Sequence, residues 1–173
     1  MIDARAHAGF EAVAGPDARV LILGTRPSAV SLATGQYYAQ PRNAFWHIME
    51  AIAGAGPDLP YEQRRQRLIE QRLAIWDVCA SAERQGSLDS RIRTGSSRPN
   101  DFNGFLLSHP GIQLICFNGA KAAALFRPVL LKLDAKWTSV PRVILPSTSP
   151  AHASMPLARR VQIWRSALTD REG

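Results

Sequence analysis

The apolar run Val20-Leu21-Ile22-Leu23 passes directly into the turn Gly24-Thr25-Arg26-Pro27-Ser28, and this junction constrains the fold more than any other segment. Unbroken apolar residues, with no polar residue at alternate positions, describe a strand covered on both faces. A strand ending in a Gly/Pro/Ser turn exposes backbone N–H groups at the carboxyl edge of an open sheet, where α/β folds take anionic ligands. Three more apolar runs read as strands: Leu73 to Val78, Ile112 to Phe117 and Val143 to Leu145. Helical patterns lie between or after them. Asn43 to Ile52 carries the stripe Phe45, Ile48, Met49 and Ile52; Tyr61 to Arg72 turns Leu68 and Ile69 inward; Asp101 to Leu107 and Ala120 to Phe126 are short and apolar; Ala158 to Leu168 puts Val161, Trp164 and Leu168 on one face. Strands alternating with helices predict an α/β fold with a mainly parallel sheet covered on both sides. No repeat or linker divides the chain, so residues 1–173 are expected to form a single domain. The polar stretch Gly86 to Asn100 is the longest without periodicity, a length at which loops often carry function.

Composition removes several classes of protein. No apolar run approaches the roughly 20 residues of a membrane-spanning helix, so no membrane partner is expected. The segment Met1 to Phe10 carries charges and lacks the apolar core of a secretory signal, which makes a cytoplasmic location the expectation. Cys79 and Cys116 both lie in apolar runs and read as reduced, buried thiols. An iron–sulfur cluster needs about four thiolates, and His7, His47, His109 and His152 are scattered without metal-ligand spacing. Neither a metal nor another cofactor is expected. With 21 basic against 14 acidic residues the net charge is +7, which favours a polyanionic partner such as nucleic acid. The charged helix Glu62 to Arg72 is read as a solvated face.

The segment Tyr37-Tyr38-Ala39-Gln40-Pro41-Arg42-Asn43-Ala44-Phe45-Trp46 then brings two flat rings, a cation and an amide close to the first turn in sequence. Such a set suits a nucleobase and its backbone. Each strand ends in a distinctive group: Gly24 to Ser28, then Asp77, then Asn118-Gly119, then Pro146-Ser147-Thr148-Ser149-Pro150-Ala151-His152-Ala153. In a parallel sheet these ends share one edge and converge on one cleft. Bland alternatives stand beside each. The first turn lacks the Gly-Lys-Ser/Thr ending of a P-loop. Phe45 and Trp46 read as packing, and one of Tyr37 and Tyr38 as structural, with Tyr38 favoured as the ring that meets a base. Asn43 alone reads as a helix cap, Asn118 as a helix start, and Asp77 as a partner for a nearby arginine or amide, with water placement open to it. Ser147, Ser149 and His152 lack the Gly-x-Ser-x-Gly elbow of a serine hydrolase. His47 and His109 are assigned no function.

The first turn, with Ser31-Leu32 and Gln36 to Trp46, resembles the first motif of the hypoxanthine-DNA (deoxyinosine) glycosylases, a branch of the uracil-DNA glycosylase superfamily. The resemblance continues in order through Trp76-Asp77-Val78, Glu83 to Asp89, Asn100-Asp101-Phe102, Phe117 to Ala122 and Leu145 to Ala151. It implies a three-layer α/β/α sandwich around a four-stranded parallel sheet, and excision of a damaged base from DNA without a cofactor.

Asn43 is implied as the catalytic position, where many relatives place an aspartate. An amide is no general base near neutral pH, so it would position water and orient its dipole at a cationic sugar. Ser147 stands where many superfamily members carry histidine; serine is the weaker oxyanion donor, which fits a slow enzyme relying on a good leaving group. The base-binding set is Gly24, Thr25, Tyr38, Tyr37 and Asn118, whose amide offers a donor and an acceptor to a base edge. The phosphate-binding set is Arg26, Ser28, Arg42, Ser149 and His152, the last standing where the family pattern leads one to expect asparagine. Residues Ala153 to Met155 would supply the wedge. Lys121 is the one lysine of the matched blocks and reads as helical, so strand cleavage is not expected. The expected partner is damaged DNA, double- or single-stranded, bound by a monomer; hypoxanthine ranks first and uracil second. Two rivals remain: a lesion- or abasic-site-binding protein of the same fold with weak catalysis, and a small-molecule enzyme using the first turn for a nucleotide phosphate.

Overall fold

The computed structural model describes residues 9–81 and 98–169. The matched block Glu83 to Asp89, and the polar stretch from Gly86 to residue 97, lie outside the described residues. Four parallel strands make the central sheet: β1 (Val20–Gly24), β2 (Leu73–Asp77), β5 (Leu114–Asn118) and β6 (Arg142–Leu145), in the order β2-β1-β5-β6. The expected parallel sheet is therefore present, with strand bounds shifted by a residue or two. A short antiparallel pair, β3 (Cys79–Ser81) with β4 (Arg98–Pro99), follows β2; the sequence patterns did not predict it.

Alternate residues of each strand divide between two cores. Val20, Ile22, Leu73, Ile75, Leu114, Cys116 and Leu145 face one side, packed with α2 (Phe45–Ala53), Leu68 of α3 (Tyr61–Glu70), and Trp164 and Leu168 of α7 (Leu157–Thr169). Leu21, Leu23, Ala74, Ile115 and Phe117 face the other, packed with α4 (Phe102–Ser108), α5 (Ala120–Lys132) and Trp137 of α6 (Ala135–Thr138). Burial on both faces accounts for the continuous apolar runs of the central strands. The edge strand β6 is more open, with Arg142 and Ile144 exposed.

Helix ends follow local chemistry. The hydroxyl of Ser28 caps α1 (Ala29–Thr34), a helix the sequence patterns did not predict, by accepting the Ser31 N–H at 3.1 Å, and Gly35 ends it in the left-handed conformation. Helix α5 runs past the expected stop at Phe126, through Pro128, because its next turns bury Val129 and Leu133 against the second core. Tertiary burial thus outweighs the proline's lost hydrogen bond. Both cysteines are buried, and neither forms a disulfide among the described residues. Among the described residues no helix is long and apolar enough to cross a membrane.

Candidate active site

Register places the strand ends side by side: Gly24 pairs with Asp77 across β1 and β2, Leu23 with Phe117 across β1 and β5, and Asn118 with Leu145 across β5 and β6. The four turn segments therefore meet along one sheet edge, as their sequence positions predicted.

Thr148, to which no role had been assigned, organises this edge. It is 1% exposed. Its backbone N–H donates to Asn118 Oδ1 and its hydroxyl accepts from Asn118 Nδ2, both at 2.9 Å. Its carbonyl accepts the Ala44 N–H, also at 2.9 Å. One residue thereby fastens the end of β5 and the turn after β6 to the segment carrying Asn43. It also alters the reading of Asn118: both ends of that amide are engaged with Thr148, and the amide also neighbours the Tyr38 hydroxyl, so little of its hydrogen-bonding capacity is left for a ligand.

Asn43 is half-buried beside this clamp. Its Oδ1 accepts the Phe45 N–H at 3.0 Å, satisfying a donor in the first turn of α2. Asn43 lies one residue before the N-cap Ala44 rather than at the cap itself, and this bond fixes the amide's orientation while leaving its Nδ2 donors and a second oxygen lone pair uncommitted. Asn43 and Tyr38 both border a cleft of about 170 Å³ that extends past Gln40 and His47 to Arg64.

The two tyrosines separate cleanly. Tyr37 is 4% exposed; its hydroxyl donates to the Glu11 carbonyl at 2.8 Å, its carbonyl accepts from Trp46 Nε1 at 2.9 Å, and Phe10 packs edge-on against its ring at 5.1 Å. Tyr37 is a core residue, which corrects its place in the base-binding set: no face of its ring is open to a base. Tyr38 is half-buried, with its backbone in the left-handed region at φ 53° and its ring stacked on Phe45 at 4.0 Å. Such a backbone costs a non-glycine residue about 1–2 kcal/mol and persists only where its surroundings hold it. The Tyr38 hydroxyl reaches under Gly24: a Cβ on that glycine would lie 2.9 Å from the hydroxyl and 2.8 Å from Asp77 Oδ1. Burial pushes the Tyr38 phenol well above its ordinary ionisation range, the buried Asp77 carboxylate pushes it further, and the neighbouring Asn118 amide opposes the shift. Tyr38 is thus a neutral hydroxyl at any physiological pH.

Asp77 uses its backbone carbonyl to accept from Asn100 Nδ2 at 2.7 Å, tying the matched Asn100 block to the sheet edge. Gly119, at φ 93°, would bring a Cβ within 3.0 Å of the Ser147 Cβ, so only glycine lets β5 and the last turn approach this closely. Thr25 is half-buried beside Gly24, its carbonyl accepting the Cys79 N–H at 3.1 Å.

The expected phosphate contacts divide into two groups. All three guanidinium nitrogens of Arg26 are shut off from solvent, and the Ser28 hydroxyl is occupied within α1, donating to the Ser31 hydroxyl at 3.1 Å. Neither is presented to a DNA backbone in this conformation, which corrects their assignment: local helix capping and burial claimed groups that sequence alone left open. Arg42 and His152 are exposed. Ser149 caps the 3₁₀ turn Pro150–His152 by accepting the Ala151 N–H at 3.3 Å. The Ser147 oxygen accepts the Ser149 N–H at 3.1 Å, which orients that hydroxyl and leaves its proton to donate elsewhere. Ala153 and Ser154 are exposed and Met155 half-buried. Phe45 and Trp46 are core residues, as expected. Lys121 is exposed at the start of α5.

Two residues of α7 hold the last turn from behind. Trp164 Nε1 donates to the Pro146 carbonyl at 2.9 Å, and Arg160 Nη1 to the Ser147 carbonyl at 3.2 Å. Arg160 is 7% exposed. The signal in the sequence was its spacing, since Arg160, Trp164 and Leu168 form an i, i+4, i+8 row, the buried stripe of the helix.

A four-stranded parallel sheet between helical layers thus carries an amide, hydroxyls and a half-buried tyrosine together at its carboxyl edge, where open α/β sheets take their ligands. The sequence profile of the Uracil DNA glycosylase superfamily matches residues 12–168, and the chain belongs to that superfamily; it is a DNA glycosylase. Within it, the chain is 38% identical over 145 residues to a protein of Methanosarcina acetivorans named hypoxanthine DNA glycosylase, covering 83% of this chain and 87% of that one. A Methanosarcina barkeri protein of the same name is 32% identical over 123 residues, covering 70% and 76%. These matches place it in the hypoxanthine-DNA glycosylase branch. A solution NMR structure from M. acetivorans, named as a candidate uracil DNA glycosylase, superposes with a TM-score of 0.74 at 33% identity, covering 94% of this chain and 98% of that one.

Proposed function

We propose that this enzyme excises hypoxanthine from deoxyinosine in DNA, with uracil as a second substrate, as a monomer and without cleaving the strand. The observation that carries the reading is the Ala44–Thr148–Asn118 linkage, which keeps Asn43 and the Ser147 turn on one sheet edge, together with relatives named for hypoxanthine.

A base inside a duplex is out of reach, so the nucleotide is first extruded at a cost of a few kcal/mol, about the scale that base–aromatic stacking returns. The ring of Tyr38, backed by Phe45, offers one face to the base. Arg42, Ser149 and His152 contact phosphates flanking the flipped nucleotide. The glycosidic bond then breaks heterolytically, its electron pair leaving with the base and cationic character developing on the sugar. Asn43, its Oδ1 anchored by the Phe45 N–H, holds a water through the second lone pair and directs the amide dipole at the sugar carbon. The Ser147 hydroxyl donates to the leaving base. Water adds to the sugar carbon and sheds its proton to solvent. Without a carboxylate base at Asn43, the rate depends on leaving-group stability, which suits hypoxanthine and uracil.

The test is release of free base from inosine- and uracil-containing oligonucleotides, single- and double-stranded, with no metal added. Hypoxanthine release supports the proposal. No release from either lesion overturns it, and tight retention of damaged or abasic DNA without product under single-turnover conditions selects a lesion-binding role instead.

A further inference from the structure

Arg160 is a cation in an unusual setting. It is 7% exposed, its Nε has no hydrogen-bond partner, and no carboxylate forms an ion pair with it among the described residues. Its bond within the protein is to the Ser147 carbonyl at 3.2 Å. An unpaired buried charge is unfavourable, and a neutral donor holds a carbonyl as well without that penalty. Trp164 does so one residue earlier, at the Pro146 carbonyl. Holding the turn in place therefore does not require the charge.

A buried cation becomes favourable when negative charge arrives beside it. On the reading proposed above, on which this inference rests, such charge develops at Ser147: the leaving base takes the electron pair of the broken glycosidic bond and is later protonated by solvent. We infer that Arg160 is a positioning residue whose charge, acting through the Ser147 peptide, stabilises the departing base. It supplies from behind the turn the electrostatic assistance that the Ser147 hydroxyl, a neutral donor, lacks. The field of a buried cation is weakly screened, so one intervening peptide does not abolish it.

Two variants separate charge from scaffolding. Arg160→Gln retains a donor for the Ser147 carbonyl but removes the charge; Arg160→Lys retains the charge. Under single turnover on inosine DNA, Arg160→Gln is expected to release hypoxanthine about 10- to 100-fold more slowly than the parent, below the full loss of a directly contacting oxyanion donor, while Arg160→Lys stays within about threefold. Without the cation the base must leave protonated, so the Arg160→Gln rate climbs as pH falls from about 8 to about 6, approaching tenfold per unit and more steeply than the parent. Abasic-DNA affinity and thermal unfolding serve as controls, and Arg160→Met is a second neutral variant should Arg160→Gln not fold. A neutral variant that works at the parental rate overturns the inference, as do Gln and Lys variants that are equally slow with the parental pH profile, the signature of a strut. A parent that releases no base overturns the functional proposal instead, so the two failures are distinguishable.

Discussion

Asn118 and Thr148 are joined by two hydrogen bonds of 2.9 Å, the amide of one closing on the backbone N–H and hydroxyl of the other. A segment thirty residues further along the chain is thereby locked to the end of β5 before any DNA arrives. The consequence is preorganisation: the last turn need not be ordered when the substrate binds.

Thr148→Val keeps the backbone bonds and removes the hydroxyl that accepts from Asn118. A half-buried amide donor loses its partner, for a loss of about 1 kcal/mol. Urea unfolding should register this as a lower midpoint with unchanged slope, alongside a drop in base release.

Asn43→Ala removes two functions of different size. Loss of the bond to the Phe45 N–H costs stability of about 1 kcal/mol. Release of hypoxanthine under single turnover is expected to fall by about 100-fold or more, while affinity for abasic DNA changes only a few-fold. Parental rates on every lesion, in a variant that carries the small stability loss, would remove Asn43 from the chemistry.

Gly24→Ala places a methyl group 2.8 Å from Asp77 Oδ1 and 2.9 Å from the Tyr38 hydroxyl. Tyr38 must shift, and its ring with it. Activity should fall further than stability, because the displaced ring is the one proposed to meet the base; comparing turnover with the thermal midpoint checks this. An alanine variant with full activity would show that the Tyr38 position is not needed.

Alkaline pH should destabilise the fold through its buried tyrosines. Burial is the largest cause raising Tyr37, Tyr38 and Tyr61 above the ordinary phenol value. The neutral form is favoured in the folded state, so the unfolded chain loses its protons first. Stability is then full below about pH 10, the unfolded value, and declines as pH rises beyond it. Tyr38→Phe removes one such group and should flatten the decline in unfolding free energy; an unchanged slope would contradict the assignment.

Arg42 is the exposed cation next to Asn43 in sequence. If it meets a phosphate, Arg42→Ala weakens binding to all sequences alike and reduces the slope of log affinity against log salt by about one. An unchanged slope removes Arg42 from the phosphate set.

The sequence by itself determined the frame. Val20 to Leu23, Leu73 to Val78, Ile112 to Phe117 and Val143 to Leu145 were legible as strands from their unbroken apolar runs, and the Gly24 turn after the first and the Ser147 to Ser149 cluster after the last therefore had to lie at carboxyl ends of the sheet. Phe45 and Trp46 were legible as core because large aromatic side chains are usually buried, and both are. Tertiary structure alone decided which polar groups remain available. Tyr37 and Tyr38 are adjacent and chemically identical, yet the Glu11 carbonyl and Phe10 claim the first, while Phe45 and the space beside Gly24 hold the second. Arg26 and Ser28 look like phosphate ligands until burial and a helix cap account for them, and Arg160 looks like a surface charge until α7 packs it beneath Ser147. The physical reason is common to all: apolar burial follows a local period that one strand or helix records, whereas a polar group is satisfied by whichever partner the fold brings within about 3 Å, and those partners lie far away along the chain.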